Sequence, residues 1–339
     1  MYVQVPTLLI IFFIFKCLYT CKKFKFIRFN PVFCGLLIFD NRDTEIINFF
    51  KGVKLECISV IKKSRIIVIK DTCKGLIYKY SYKDSIREIQ NNYAALKRVK
   101  KLSSPKYTCF ITGEVGVLSV EELISGKEII LSNLNPNIYS DTIFRNICTT
   151  LQDYHSQTLK QVKSSIISEI NQYDFLVDEG NLSTFNEIKK KLLFLYKLKD
   201  EVIVTKAQIH GDITYRNILV NNQKLIFIDF ERASFDFPEF DYLNFILDFN
   251  VHASKKTSYR NYIDYLVRIY IENFFLNIFK GLEESNNFQS ENTGILKLIY
   301  LKYLIRQIAI VTNVSNYQRD VDIDLIYTSI SQMIKSKSD

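Results

Sequence analysis

Between Gln208 and Phe245 the chain reads QIHGDITYRNILVNNQKLIFIDFERASFDFPEFDYLNF. Asp212 follows His210 and Gly211, Asn217 comes after four intervening residues, and Asp229 lies in the run Ile228-Asp229-Phe230-Glu231. Ile218 to Val220 and Leu225 to Ile228 are short apolar runs joined by polar Asn221 to Lys224, the pattern of a β-hairpin. A hairpin there returns Asp229 to the side of Asn217. Transfer of a phosphoryl group to a hydroxyl needs a carboxylate that accepts or orients the hydroxyl proton. It also needs an amide oxygen and a second carboxylate to hold Mg²⁺ against nucleotide phosphates. Asp212 is of the right type for the first task, and Asn217 and Asp229 for the second. His210 reads as a residue that holds the loop by hydrogen bonds rather than as a general base.

These residues need a scaffold, and the hydrophobic pattern predicts one in two parts. Leu55 to Ile61, Arg65 to Lys70 and Leu76 to Tyr80 are β-branched and aromatic runs, and Asp71 to Gly75 (DTCKG) reads as the turn between the last two. Asp84 to Lys100 reads as a helix with Ile86, Ile89, Tyr93, Leu96 and Val99 on one face. Val115 to Val120 is a further strand. Beyond residue 140 the period becomes helical, with Ile143, Ile147, Leu151 and Tyr154 in one stripe. Residues 158–178 and 182–199 read as a helical pair broken at Gly180-Asn181. After a β segment over 205–229, the spans 258–280, 294–312 and 321–334 are predicted helical. The expected architecture is α+β and bilobal: a small N-lobe with an antiparallel sheet over 35–124, and a larger helical C-lobe over 125–339.

Composition bounds what such a chain can be. Of 339 residues, 47% are hydrophobic and 24% charged, enough for a sizeable core and too apolar for disorder. Ten Gly and five Pro argue against an all-β protein full of tight turns. Seven cysteines at irregular spacing, with no CxxC pair and only three His, argue against a zinc site or a disulfide framework and favour a reducing compartment. The net charge of +9 favours anionic surroundings, yet no nucleic-acid-binding motif accompanies it, so no nucleic-acid partner is expected.

The motif HGDxxxxN with a downstream IDFE and FPEFDY resembles the aminoglycoside phosphotransferase and choline kinase group, a branch of the protein-kinase-like fold. The resemblance implies Asp212 as catalytic residue, Asn217 and Asp229 as magnesium ligands, and Asp241 as a structural brace of the catalytic loop. Lys79, in the strand LIYKY, stands where the phosphate-binding Lys is expected. LSVEELISGKEI resembles the strand and linker that meet the adenine, which implies base contacts from backbone groups of Glu121, Glu122 and Leu123. The helix ending LQDYH resembles the one that ends in a His before a helical insertion. Two departures are visible: no glycine-rich loop precedes Lys79, and Asn92 occupies the position where the group places the Glu that partners that Lys. Glu88, one turn earlier, is the substitute. The resemblance covers residues 55 to 250 and is most specific over 208–241.

The function so implied is an ATP- or GTP-dependent, Mg²⁺-requiring phosphotransferase acting on a hydroxyl of a small molecule or glycan. Glu231, Asp236, Glu239 and Asp248 lie near the motif and read either as a set suited to a cationic acceptor or as solvent-facing loop carboxylates. A variant of this function is a kinase of lipopolysaccharide or surface polysaccharide at the inner membrane face, because Val60 to Tyr80 followed by VEELISG is similar to bacterial lipopolysaccharide-core kinases. A different class, a nucleotide-binding protein without catalysis, is favoured by the missing glycine loop and opposed by the intact Asp212, Asn217 and Asp229. Residues 1–34 stand apart. Val5 to Phe15 (VPTLLIIFFIF) is too short to span a bilayer by the usual measure, and Lys22, Lys23, Lys25 and Arg28 follow it. That segment reads as an anchor against anionic headgroups through residues 1–30, on a protein otherwise cytoplasmic, or as part of the fold.

Overall fold

The computed structural model describes residues 42–51, 58–62, 66–82, 86–98, 103–130, 133–135, 137–177, 179–194, 201–253, 259–286, 293–318 and 323–335. The apolar and basic segment 1–34 lies outside them. The chain divides into two compact units, one comprising residues up to Tyr93 together with Pro105–Ile124, the other Ala94–Ser104 together with Ser125 onward. Every strand pairing among the described residues is antiparallel.

In the first unit, α1 (Thr44–Lys51) precedes β1 (Ile58–Lys62), β2 (Ile66–Asp71) and β3 (Leu76–Tyr82). Then come α2 (Ile86–Arg98), of which the residues from Ala94 on count with the second unit, β4 (Tyr107–Thr112) and β5 (Gly116–Glu122). The strands form one sheet in the order β1-β2-β3-β5-β4. Side chains alternate between its faces because the strand period is two residues. Ile69, Tyr78, Tyr80, Leu118 and Val120 pack with Ile46 of α1. Ile66, Val68 and Val117 pack with Ile89 of α2 on the other face. Lys79, between Tyr78 and Tyr80, therefore projects to the α2 face. The β2–β3 turn is held by Asp71, whose Oδ1 accepts from the N–H groups of Cys73 and Lys74 at 3.1 Å, and by Gly75 at φ +64°. Buried Asp43, before α1, accepts from the hydroxyl of Tyr80 at 2.7 Å and from the N–H groups of Val115 and Gly116 at 2.6 and 3.1 Å, tying α1 to the β4–β5 turn.

The second unit begins with the two-residue strand β6 (Lys127–Glu128) and α3 (Thr142–Ser156), then β7 (Lys160–Ser165), α4 (Ile166–Asn171), α5 (Glu179–Phe194) and β8 (Glu201–Ile209). The hairpin of β9 (Ile218–Asn221) and β10 (Lys224–Phe227) follows, then β11 (Ser234–Asp236). Five helices complete it: α6 (Glu239–Ala253), α7 (Tyr259–Ile271), α8 (Phe275–Asn286), α9 (Thr293–Gln318) and α10 (Ile323–Lys335). Two three-stranded sheets result, β10-β9-β6 and β11-β8-β7. Between Leu298 and Ala309 every residue of α9 is buried, as expected of a helix at the centre of a helical core. Among the described residues no helix is long and apolar enough to cross a membrane.

Three sequence expectations need correction. Residues 158–178 are not one helix: Lys160–Ser165 is an edge strand paired with β8 from Lys160↔Lys206 to Ser165↔Glu201, and only Ile166–Asn171 is helical. The partner lies some forty positions downstream, beyond the reach of local periodicity. Gly180 does not break a helical pair but lies in the first turn of α5. The span 258–280 is two helices, α7 and α8, parted where Asn273 takes a left-handed backbone at φ 60°. Strand β4 and helix α6 were not anticipated.

Candidate functional site

The HGD loop leaves β8 at Ile209 and runs to a single 3₁₀ turn over Tyr215–Asn217, where the hairpin starts. Gly211 sits at φ +81°, and a Cβ there would stand 2.1 Å from the carbonyl oxygen of Arg232, so only glycine fits. The loop is pinned from α6 by Asp241. Its Oδ2 accepts from the His210 N–H at 2.9 Å and from His155 Nε2 at 2.9 Å, and its Oδ1 accepts from the Gly211 N–H at 2.7 Å. Burial would raise the Asp241 pKa, but the His155 hydrogen bond, the two His rings and the His210 amide hold it below the ordinary carboxylate value. His210 is wholly buried, its ring lies 4.2 Å from the Phe230 ring at a tilt of 42°, and it donates from Nε2 to the Ile228 carbonyl at 2.9 Å. Burial pushes its pKa down against the pull of Asp241, Asp212, the Ile228 carbonyl and Asp229. From α9, Arg306 Nη2 donates to the Gly211 carbonyl at 2.8 Å.

Asp212 and Asn217 meet. Asn217 Nδ2 donates to the Asp212 carbonyl at 2.9 Å and to Asp212 Oδ2 at 3.2 Å. With its amide nitrogen so used, Asn217 keeps its Oδ1 as the group able to ligate a cation. The hairpin register Ile218↔Phe227 and the bond from the Ile228 N–H to the Asn217 carbonyl at 2.9 Å bring Asp229 beside Asn217 along the backbone. Asp229 adopts φ 68°, ψ 62°, a conformation a non-glycine residue keeps only when its surroundings impose it and one that gathers at functional sites. Among the described residues no group of three or more His, Cys, Asp or Glu could hold a metal ion. Beside Asp212, Asn217 and Asp229 offer one amide and one carboxylate oxygen. That pair suits a small hard cation completed by phosphate oxygens and water.

The first unit carries a second cluster. Lys79 Nζ lies 2.9 Å from Glu121 Oε1, and Asn92 Nδ2 donates to Glu121 Oε2 at 3.0 Å. All three side chains are buried. Glu121 was expected to offer only its backbone to a base, yet that backbone lies inside the sheet between Ile77 and Tyr107 while its carboxylate goes to Lys79. The N–H of Glu122 donates to the Lys106 carbonyl and that of Leu123 to the Gly75 carbonyl, each at 2.8 Å, so neither amide is open to donate to a base. The side chain of Glu88, the expected partner of Lys79, lies outside the described ones.

Two residues near the loop escaped the sequence reading. Arg232 Nη1 sits 3.1 Å from Asp212 Oδ1; its signal was its place three residues after Asp229. Arg306 had none. His155, the His that ends the LQDYH run, is buried against Asp241. The four acidic residues near the motif do not act as a set. Asp236 is fully buried and bonded to Lys302 at 2.6 Å and to the Tyr173 hydroxyl, which serves neither a cationic acceptor nor solvent. Glu239 is also buried.

No family model matches the chain. Over 123 residues, 35% of its length, it is 28% identical to the probable ethanolamine kinase B of Dictyostelium discoideum, and the match spans only a quarter (25%) of that relative. Among solved structures, a thermostable mutant of the aminoglycoside phosphotransferase APH(4)-Ia superposes over 87% of this chain and 99% of its own, with a TM-score of 0.51 and 12% identity. A choline/ethanolamine kinase family protein from Mesorhizobium loti covers 85% of the chain with a TM-score of 0.45 and 11% identity. The chain thus has the fold of the aminoglycoside phosphotransferases, and over about a third of its length it resembles a probable ethanolamine kinase in sequence.

Proposed function

We propose that the chain is a nucleotide-dependent phosphotransferase that phosphorylates a hydroxyl of a small molecule, and that an amino-alcohol of the ethanolamine type is the first acceptor to test. The observation that carries the activity is the Asp212–Asn217 contact on a loop pinned by Asp241, next to the strained Asp229. Asp212 accepts or orients the proton of the attacking hydroxyl, and Arg232 limits the directions its carboxylate can take. Asn217 and Asp229 would hold Mg²⁺, which neutralises the phosphate charge when bound. Lys79 neutralises phosphate charge of ATP or GTP. A base contact at Glu122 and Leu123 falls to their carbonyl oxygens, since both amides are engaged. The acceptor class is supported by the local similarity to an ethanolamine kinase.

The test is phosphate transfer from ATP and GTP, with Mg²⁺, to a panel of ethanolamine, choline, an aminoglycoside and a lipid-linked sugar. Asp212→Asn should lower kcat by about 10²- to 10⁴-fold, the range for loss of a positioned proton acceptor, with nucleotide affinity nearly unchanged. Asp229→Asn should lower both, because it removes a metal ligand. Nucleotide binding without turnover on any acceptor, and equal small effects of the two substitutions, would replace this reading with that of a non-catalytic binding protein. Transfer to the lipid-linked sugar alone would favour the surface-polysaccharide variant.

A further inference from the structure

The strand alternation that places Tyr78 and Tyr80 against α1 places Lys79 on the α2 face, and the same parity along β5 places Ser119 and Glu121 there too, away from Leu118 and Val120. Lys79 pairs with Ser119 in the β3–β5 ladder, so Glu121 is its diagonal neighbour, within reach of a long side chain. On α2, Asn92 follows Ile89 by three positions and shares the face that meets the sheet. The three side chains converge as register and helical period require. Each carboxylate oxygen of Glu121 has its own partner: Oε1 takes Lys79 Nζ at 2.9 Å and Oε2 takes Asn92 Nδ2 at 3.0 Å. Relative exposures of 8% and 5% for the Lys79 and Glu121 side chains leave little water to loosen the pair.

We propose that Glu121, steadied by Asn92, acts as a positioning carboxylate of Lys79, so that an interior strand takes up a task the resemblance would give to a helix residue. The inference rests on the reading of the chain as a nucleotide-dependent phosphotransferase. The chemistry explains why the helix position is an amide. A Glu at position 92 would set a second carboxylate against Glu121 with Lys79 as their shared cation, and burying the excess charge is costly. An Asn satisfies Oε2 with a neutral donor. Strand β5 is interior, paired with β3 on one side and β4 on the other, so two ladders fix the backbone from which Glu121 reaches Lys79.

The test is a four-variant cycle on the full chain, read by KM for nucleotide, kcat and thermal midpoint. Glu121→Gln should raise the nucleotide KM about tenfold or more, with a smaller change in kcat. Asn92→Glu alone should lower the thermal midpoint. The double variant Asn92→Glu with Glu121→Gln moves the carboxylate to the helix and the amide to the strand, and should recover most of both losses. A merely structural Glu121 would show the loss of midpoint without the KM shift. Additive damage in the double variant would overturn the inference, as would a Glu88→Gln change that raises the nucleotide KM while Glu121→Gln leaves it alone. A wild-type chain that binds no nucleotide would instead refute the phosphotransferase reading, whereas recovery of the midpoint reports on the three-residue set by itself.

Discussion

Two acid–base pairs in this protein have similar length and opposite surroundings. Arg232 and Asp212 meet at 3.1 Å with 41% and 28% of their side chains exposed, whereas Lys302 meets Asp236 at 2.6 Å with both side chains fully buried. Lys302 also holds Glu169 at 2.6 Å and Gln172 at 2.8 Å, Glu169 holds Lys206 at 2.7 Å, and the Lys302 ammonium lies 4.8 Å from the Phe237 ring centroid. The buried set ties α4, β8, β11 and α9 together and does no chemistry. The exposed pair touches the residue proposed to do the chemistry. Water decides this division. A pair open to solvent gains little net energy and can part and re-form during a reaction, whereas a buried one cannot lose a member without stranding charge.

Lys302→Met leaves Asp236 and Glu169 buried with too few cations. It should cost about 3–5 kcal/mol, read by urea unfolding near neutral pH. A loss under about 1 kcal/mol would mean that the network relaxes or admits water. Acid comes next. Burial works against ionisation of Glu169, but the Lys302 charge and hydrogen bonds from Lys206, Lys302 and Ser164 hold its pKa at about 2, below the ordinary 4.5. A folded value below the unfolded one means that this stability is fully present above pH 4.5 and is lost as pH falls toward 2. The contribution is on the order of 3 kcal/mol. It should appear as a fall in the unfolding midpoint across that window, and Glu169→Gln should flatten the fall. The smallest stability effect belongs to Arg232→Ala, within about 1 kcal/mol. Its turnover should drop more than its stability, and Arg232→Lys should recover only part, because the charge returns without the planar fork. An Arg232→Ala loss as large as that of Lys302→Met would show that exposure does not separate the two pairs.

Legibility followed distance along the chain. Asp212, Asn217 and Asp229 lie within eighteen residues, and their grouping needed only a tight turn and a two-strand hairpin, both written in local residue types. The β2–β3 turn was equally local, with Asp71 and Gly75 doing what their side chains permit. The failures were non-local. β7 was mistaken for helix because its partner β8 begins at Glu201. Nothing near His155 points to its partner, because Asp241 lies 86 positions away. Glu121 carries only a backbone role in the sequence, because nothing local shows where its side chain turns.

What the sequence determined by itself is the chemistry on offer: a carboxylate, an amide and a second carboxylate at fixed offsets, a lysine in an alternating strand, and a helix-rich remainder. Those follow from residue type and from periods of two and 3.6, which each segment carries alone. Tertiary structure decided who partners whom. Lys79 received Glu121 and Asn92 because sheet register and the α2 face bring 79, 92 and 121 together. Asp236 was removed from any binding role because packing sealed it under Lys302 and Tyr173. A charge in sequence is only a capacity; burial and geometry in the folded chain determine whether it binds, braces or reacts.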